Sequence, residues 1–347
     1  MSHLTYAEAG LIGLIQGVTE LFPVSSLGHS VLVPALIGGS WAQDLNVSKA
    51  ESPYLAYIVG LHVATALAMI IYFWRDWMRI IGAFFASVKH VIAPEPGTGR
   101  WEPQTTDQKL AWMIILATVP VGIAGVALEH LFRVVFSKPV LTSIFLFANG
   151  LILLAGERAR RRHADMEAEE IAADLQAVSE RQKAAVAAGA GGSGGRHSSG
   201  QRALKQHQAG LAVESDRRLT GVGWAGAFVL GAAQILALLP GISRDGIVMV
   251  GGLFRGLSRQ DAARFSFLLS APVILAAGVL KIPDLTGPLG AGIHGQVLFG
   301  SILSGVGAYL ALRFLMRYFS DPKRTLTPFA IYSLIVGLGC LIYFSVR

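Results

Sequence analysis

The sequence predicts an all-α integral membrane protein with six transmembrane helices and two re-entrant hairpins of broken helix, arranged as an inverted-topology repeat. The 347-residue chain is 53% hydrophobic and 15% charged, well below the charged fraction of soluble domains. Two polar, proline-interrupted segments each precede three apolar stretches of the ~20 residues that a helix needs to cross a bilayer. The six stretches lie at about 53–74, 110–129, 139–156, 259–281, 295–316 and 327–346.

The first interrupted segment, 7–38, contains QGVTELFPVSSLGH at 16–29, with Pro23 at the break. At ~1.5 Å of rise per residue, its two half-helices are mostly too short to cross ~30 Å of hydrocarbon. We therefore expect a re-entrant hairpin. With the three spans that follow, it forms a first repeat at 1–156.

A polar insert follows at 157–218, beginning with helix-forming Ala, Glu and Arg and continuing as a Gly/Ser tether. Such a composition favours a partly disordered cytoplasmic insert. A regulatory or partner-docking element is the alternative, and we assign the insert no chemistry.

The second interrupted segment, 222–254, opens a second repeat at 219–347, with Pro240 and Ser243 matching Pro23 and Ser26 of the first. Three spans separate the hairpins, so they should enter the membrane from opposite faces and meet near its midplane. A pair of short Gly/Pro-interrupted apolar segments in corresponding places is typical of a membrane-protein binding site.

The charge distribution and the single cysteine restrict the membrane topology and the kinds of partner and site that are possible. The net charge of +7 comes from basic residues that follow alternate span ends, so it indicates membrane topology rather than nucleic-acid binding. By the positive-inside rule both termini are outside and the 157–218 loop is cytoplasmic. No leader pattern precedes the first hairpin, so we expect the N-terminus to be retained. The single cysteine, Cys340, excludes an intrachain disulfide and a cysteine metal site.

The first break carries a cluster of polar side chains. Gln16 and Glu20 share one helix face, Ser25 or Ser26 can cap the next half-helix, and His29 lies on the face of the serines. Glu20, Ser25, Ser26 and His29 are expected to converge on one small volume. Ionisable groups at membrane depth are functional candidates; the alternative is that they serve only as structural hydrogen-bonding groups.

The second break, PGISRDG at 240–246, has the features of a phosphate cradle. Gly241 permits an unusual turn, and Ser243 can cap the following half-helix, whose amide groups and dipole favour an anion. Arg244 adds a planar fork that suits phosphate oxygens. The alternative is a structural ion pair of Arg244 with Glu20 or Asp245.

Three other polar residues receive no catalytic role. His62 and His130 are lone histidines, and we expect satisfied core or interface groups rather than ligands. Gln234 is expected to pack between the two repeats.

At these residues the chain resembles the undecaprenyl-diphosphate phosphatase family, the bacitracin-resistance type of integral membrane pyrophosphatase. QGVTELFPVSSLGH is similar to its first motif, and PGISRDG to its PGxSRSxxT motif. The segments RFSFLLSAP (264–272) and PFAIY (328–332) are also similar to family segments. The resemblance implies a plasma-membrane enzyme that removes the terminal phosphate of undecaprenyl diphosphate for cell-wall synthesis. A divalent cation, Mg²⁺ or alternatively Ca²⁺, would assist.

The resemblance also implies roles for individual residues. The first motif contributes Gln16, Glu20, Ser26 and His29, and the second contributes Ser243 and Arg244; of these, Glu20, Ser26, His29, Ser243 and Arg244 are expected to be catalytic. Together with Ser25 and Gly241, which the residues themselves suggest, Gln16, Ser243 and Arg244 are expected to bind phosphate. We expect Glu20 to hold a metal or to order the nucleophile, with Asp245 as a second candidate metal ligand. His29 would act as general acid or base, or attack directly. Asp245 and Val248 depart from the pattern, since they stand where the family usually has Ser and Thr.

Several alternatives stay open from the sequence. The nucleophile is His29, Ser26 or water. The phosphatidate type of lipid phosphatase is disfavoured because Val250 stands where that class has its nucleophilic histidine. A transporter or flippase for a polyprenyl phosphate lipid is the second function, because broken helices in an inverted repeat are also a transporter plan. The expected partners are the bilayer and a polyprenyl diphosphate; a homodimer is left open.

Overall fold

The structure, a computed structural model, describes residues 4–45, 53–92, 103, 105–136, 138–162, 214–281, 283, 287 and 291–346. Throughout these ranges the regular elements are helices. They are α1 Tyr6–Leu21, α2 Ser26–Ile37, α3 Gly39–Asp44, α4 Pro53–Tyr72, α5 Trp74–Ile92, α6 Thr106–Phe136, α7 Pro139–Arg162, α8 Glu214–Gly221, α9 Gly223–Ala233, α10 Arg244–Phe254, α11 Arg259–Leu280, α12 His294–Phe319 and α13 Thr327–Val346. A short 3₁₀ helix, Gln234–Leu238, follows α9.

The predicted membrane spans are present as helices. Within the described residues, five helices are long and apolar enough to span a membrane: α6, α7, α11, α12 and α13. The remaining predicted span is α4, which forms a pair with α5 that is bent by 86°. The chain is therefore a multi-pass, all-helical membrane protein, as predicted.

The helix α5 was not expected from the sequence. Charged residues at its start, Arg75, Asp76 and Arg79, alternate with apolar ones at helical spacing. A helix with one charged and one apolar face suits the membrane surface rather than its interior. This accounts for the sharp turn after Tyr72.

The first hairpin breaks where the sequence predicts. α1 starts with a capping box in which Thr5 and Glu8 each accept a hydrogen bond from the other's backbone N–H. It ends at Leu21, and Phe22 is extended (φ −70°, ψ 138°), because the residue before a proline disfavours helical geometry. Ser25, at φ 67°, caps α2 by accepting a hydrogen bond from Gly28 N–H at 3.2 Å.

The second hairpin has a corresponding break. The 3₁₀ turn Gln234–Leu238 leads into Pro240 and Gly241, whose φ is 115°. Ser243 then caps α10 by accepting a hydrogen bond from Gly246 N–H at 3.0 Å. The predicted caps of both second half-helices are therefore confirmed, with Ser25 rather than Ser26 in that position in α2.

Each hairpin packs against a span of the other repeat. α1 lies along α12, and α9 lies along α6. The α1–α12 approach is so close that a Cβ on Gly17 would lie only 2.2 Å from the Ser304 carbonyl oxygen. α1 and α9 thus each contact a helix from the other half of the sequence.

Most of the predicted insert, residues 163–213, lies outside the described residues. Its C-terminal end belongs to α8, where buried Asp216 pairs with Arg79 at 2.5 Å and with Arg264 at 2.7 Å. This ion-pair group ties α8 to α5 and α11.

Candidate active site

The two breaks meet, as predicted from the sequence. Ser25 Oγ at the first break accepts a hydrogen bond from Gly241 N–H at the second, at 3.1 Å. Arg244 Nη2 donates to Glu20 Oε1 at 2.5 Å. The acidic side of the candidate site is thus in direct contact with the basic side.

A cavity of about 410 Å³ opens from this contact. The first break contributes Glu20, Ser25 and Ser26 to its wall, and the second contributes Ser243 and Arg244. Most of the remaining wall is apolar and comes from α4, α6 and α11. It includes Ile58, Val59, Val121, Gly122, Gly125, Val126, Val273, Ile274, Ala276, Ala277, Gly278 and Leu280.

Glu20 is the centre of the polar wall. Its Oε2 accepts hydrogen bonds from Gln16 Nε2 at 2.7 Å and from Ser26 Oγ at 2.5 Å, while its Oε1 receives Arg244. The carboxylate is buried, and charge-assisted hydrogen bonds of this kind are stronger than neutral ones. Glu20 is therefore held in one orientation, with the Ser26 hydroxyl directed at it.

Arg244 forms the ion pair with Glu20 that the sequence left as an alternative to phosphate binding. The pair is compatible with phosphate binding, because Arg244 also lines the cavity. Ser243 and the first turn of α10 lie at the same place. A guanidinium next to a helix N-terminus is a favourable place for a phosphate.

His62 belongs to the site, although the sequence suggested a core or interface role. It lines the cavity, with its Nε2 3.5 Å from Glu20 Oε2 and 3.3 Å from Gln16 Nε2. Its Nδ1 lies 2.9 Å from the Ile58 carbonyl oxygen; a carbonyl only accepts, so Nδ1 carries the proton. The signal that could have found it is an ionisable residue in the middle of an apolar span.

The expected convergence is wrong for His29, which does not line the cavity. Its Nδ1 lies 2.7 Å from the Ser25 carbonyl oxygen, and its Nε2 lies 2.7 Å from the Tyr332 hydroxyl. The Ser25 carbonyl oxygen also accepts a hydrogen bond from the His29 backbone N–H at 3.2 Å, and α13 supplies the second partner of the ring. Both ring nitrogens are therefore engaged.

Two residues predicted to bind phosphate are engaged elsewhere. Gly241 N–H is occupied by Ser25. Gln16 is fully buried beneath Glu20 and does not line the cavity. Both therefore shape the site rather than face it. Gln234 is fully buried at the cavity wall.

The two departures from the family motif also lie outside the cavity lining. Asp245 is buried against α11, where its Oδ1 accepts hydrogen bonds from Ser266 Oγ at 2.7 Å and Ser270 Oγ at 2.5 Å. Val248 is fully buried in the hydrophobic core. Neither position therefore offers a contact to a ligand in the cavity. In the part of the chain that the structure describes, no group of three or more His, Cys, Asp or Glu is placed to hold a metal ion.

Comparisons with known proteins agree on one family. The model of the family described as "Bacitracin resistance protein BacA" matches residues 9–196 and 197–339. A protein of Mycolicibacterium paratuberculosis named "Undecaprenyl-diphosphatase" is 54% identical over 346 residues, covering 100% of this chain and 99% of its own length. "Undecaprenyl-diphosphatase 2" of Frankia alni is 51% identical, with 100% of both chains covered. "Undecaprenyl-diphosphatase" of Acidiphilium cryptum is 36% identical, with 98% of both chains covered.

Proposed function

The chain belongs to the family of the bacitracin resistance protein BacA, and we propose that it hydrolyses undecaprenyl diphosphate to undecaprenyl phosphate and inorganic phosphate. The observation that carries the proposal is the cavity, which has Arg244, the start of α10 and Ser26 at one end and a mostly apolar wall beyond. Such a cavity suits a diphosphate head on an isoprenoid chain. The monophosphate product would be reused as the carrier in peptidoglycan synthesis.

Phosphoryl transfer depends mainly on positioning and on neutralising the oxygens of the transferred group. In our proposal the terminal phosphate lies against Arg244, Ser243 and the first amides of α10. Arg244 then shares its donors between Glu20 and the phosphate. The isoprenoid chain runs along the apolar residues of α6 and α11.

The geometry favours Ser26 as the nucleophile. Ser26 lines the cavity and donates its hydroxyl hydrogen bond to Glu20. His29 is not among the cavity-lining residues, and its two ring nitrogens contact the Ser25 carbonyl oxygen and the Tyr332 hydroxyl. Ser26 Oγ attacks the terminal phosphorus as Glu20 accepts its proton. The bond from phosphorus to the bridging oxygen breaks, and undecaprenyl phosphate leaves with the electron pair. Water then hydrolyses the phosphoserine. Direct attack by water near Glu20 is the alternative.

A divalent cation, Mg²⁺ or Ca²⁺, remains part of the proposal. Mg²⁺ is usually bound through one or two carboxylates together with substrate phosphates, and Glu20 is the single carboxylate among the described residues of the cavity wall. The residues fit such a site, with Glu20 and Ser26 as the protein ligands. When bound, the cation would neutralise charge on the diphosphate. EDTA should stop turnover, and Glu20→Gln should reduce the thermal stabilisation that the cation produces.

We also propose that the protein lies in the bacterial plasma membrane, with both termini outside and the 157–218 loop in the cytoplasm. The distribution of basic residues at alternate span ends supports this orientation. Tags at either terminus should be accessible to protease on intact spheroplasts, whereas a tag inserted within 163–213 should be protected.

The test of the activity is phosphate release from undecaprenyl diphosphate by the purified protein in detergent. Arg244→Ala should abolish release, and Arg244→Lys should lose most of it because a point charge lacks the fork of the guanidinium. Arg324→Ala is the matched control, since that side chain is 59% exposed and its partners, Asp321 and the Tyr318 ring, do not line the cavity. Wild-type turnover by Arg244→Ala would refute the anion site. The comparisons give no support to the transporter alternative.

A further inference from the structure

Asn149, in the middle of α7, connects the two breaks through its side chain. Its Nδ2 donates to the Pro23 carbonyl oxygen at 2.9 Å, and its Oδ1 accepts from Ser243 N–H at 2.9 Å. Nδ2 also lies 3.3 Å from Ser333 Oγ. The side chain is fully buried. We call the pair of contacts from Asn149 to Pro23 and Ser243 the amide bridge.

The two backbone groups in the amide bridge are ones that the breaks leave without helical partners. Pro23 lies between α1 and α2, and Ser243 is the N-cap of α10. At membrane depth an unpaired backbone group is strongly destabilising, so satisfying both groups is sufficient reason for a buried amide. It does not explain why one side chain satisfies both.

The location of the amide bridge suggests a second role. Pro23 lies three residues from both Glu20 and Ser26, and Ser243 precedes Arg244 in the chain. One rigid carboxamide therefore sets the separation between the side of the site that attacks and the side that holds the phosphate.

The separation between the two breaks is least restrained when substrate is bound. In the free protein the Glu20–Arg244 ion pair also joins the two breaks. Arg244 must redirect donors to the phosphate, so the ion pair weakens during turnover. Among the described residues, the amide bridge and the Ser25–Gly241 hydrogen bond also join the two breaks, and neither of them uses a donor of Arg244.

Building on the proposed function, we propose that Asn149 is a positioning residue that holds Ser26 at reacting distance from the phosphate bound by Arg244. A displacement of about 1 Å of a reacting group can cost on the order of 100-fold in rate. Loss of the amide bridge should therefore lower kcat by roughly 10- to 100-fold. It should change KM by less than about threefold, because Arg244 and the apolar wall still bind the substrate.

The primary test is Asn149→Ser in the full chain, purified in detergent. The smaller side chain leaves room for water to satisfy Pro23 and Ser243, so the protein should fold, but the rigid connection is lost. Asn149→Leu is the second variant and removes both contacts without adding a charge. Ser333→Ala is the matched control, because it removes only the 3.3 Å contact of the same amide; its kcat should stay within about twofold of wild type.

Three measurements separate positioning from folding: kcat and KM for undecaprenyl diphosphate, the thermal midpoint, and hydrogen exchange around Ser243 with and without inorganic phosphate. We expect Asn149→Ser to lose kcat well beyond any loss of folded protein. Exchange around Ser243 should rise on adding phosphate in Asn149→Ser but not in wild type. Unchanged kcat, or a kcat loss equal to the loss of folded protein, would overturn the proposal.

The hydrogen-exchange measurement also distinguishes failure of the proposed hydrolysis from failure of the positioning role of Asn149. If the wild-type protein released no phosphate, the proposed function would fail. The amide bridge would still be decided by whether phosphate loosens the breaks only in the Asn149 variants.

Discussion

Gly241→Ala is the substitution that most directly tests how tightly the second break is held. A methyl group there would lie 2.5 Å from the Thr142 carbonyl oxygen, 2.6 Å from Leu146 N and 2.8 Å from Phe145 Cβ. Favourable contacts between carbon atoms lie near ~3.5–4.0 Å. Two of the three obstructing atoms belong to the backbone of α7, so rotation of a side chain cannot relieve the clash.

The cost can be estimated from two contributions. A non-glycine residue at φ 115° costs about 1–3 kcal/mol, and overpacking a filled site costs about 1–3 kcal/mol more. The sum, about 2–6 kcal/mol, is a large part of the ~5–15 kcal/mol that stabilises a typical protein. We expect a lower thermal midpoint and little activity in the protein that still folds, since relieving the clash displaces Ser243 and Arg244.

The assay is thermal unfolding in detergent together with phosphate release per folded molecule. Gly82→Ala is the matched control: it lies inside α5, and a methyl group there meets no atom within 4 Å. Alanine in a helix is favoured over glycine by up to ~1 kcal/mol, so this control should be as stable as wild type or slightly more. Gly241→Ala with a wild-type midpoint and wild-type turnover would refute the reasoning.

Four further substitutions test other parts of the molecule. Ser26→Ala should abolish turnover and the acid-stable phosphoenzyme trapped by rapid quenching; turnover with no trapped adduct in wild type would favour direct attack by water. His62→Leu should lower kcat by about tenfold or more, and circular dichroism should show that the fold is retained. An unchanged kcat would show that His62 has no role in the reaction. Gly122→Leu should raise KM for the C55 substrate more than for a C15 diphosphate, since a methyl group there meets only open cavity; equal effects would argue against chain binding along α6. Asp216→Asn weakens the buried ion pair with Arg264 and should lower the free energy of unfolding by up to about 3–5 kcal/mol. Turnover per folded molecule should stay unchanged.

The membrane plan could be predicted because lipid penalises polar groups so strongly that their positions are informative. Segment 16–29 contains a proline, two ionisable residues and two serines, and a membrane protein tolerates such a set only at a break that faces protein or water. The same reasoning, applied to PGISRDG, predicts that Arg244 belongs to the candidate site. The contact between Glu20 and Arg244 follows from placing the two breaks together.

The directions of individual side chains could not be predicted, because they depend on neighbouring helices that the local sequence does not specify. Tyr332, some three hundred residues away in the chain, holds His29 outside the cavity. Asp245 is turned aside by two serines of α11. Asn149 had no signal at all, since a single amide in an apolar span is also common as packing.

The packing of α1 against α12 means that the first hairpin cannot reach its final contacts until late in synthesis. α2 ends at Ile37, yet Arg244 begins α10 about 200 residues later and α12 ends only at Phe319. A ribosome adding about 5–20 residues per second takes roughly 10–40 s to reach Arg244. Throughout that interval the newly inserted N-terminal segment holds its carboxylate in the bilayer without the guanidinium that will later neutralise it. Until then Glu20 must be neutralised in another way, by protonation or by contact with water, lipid headgroups or the insertion machinery.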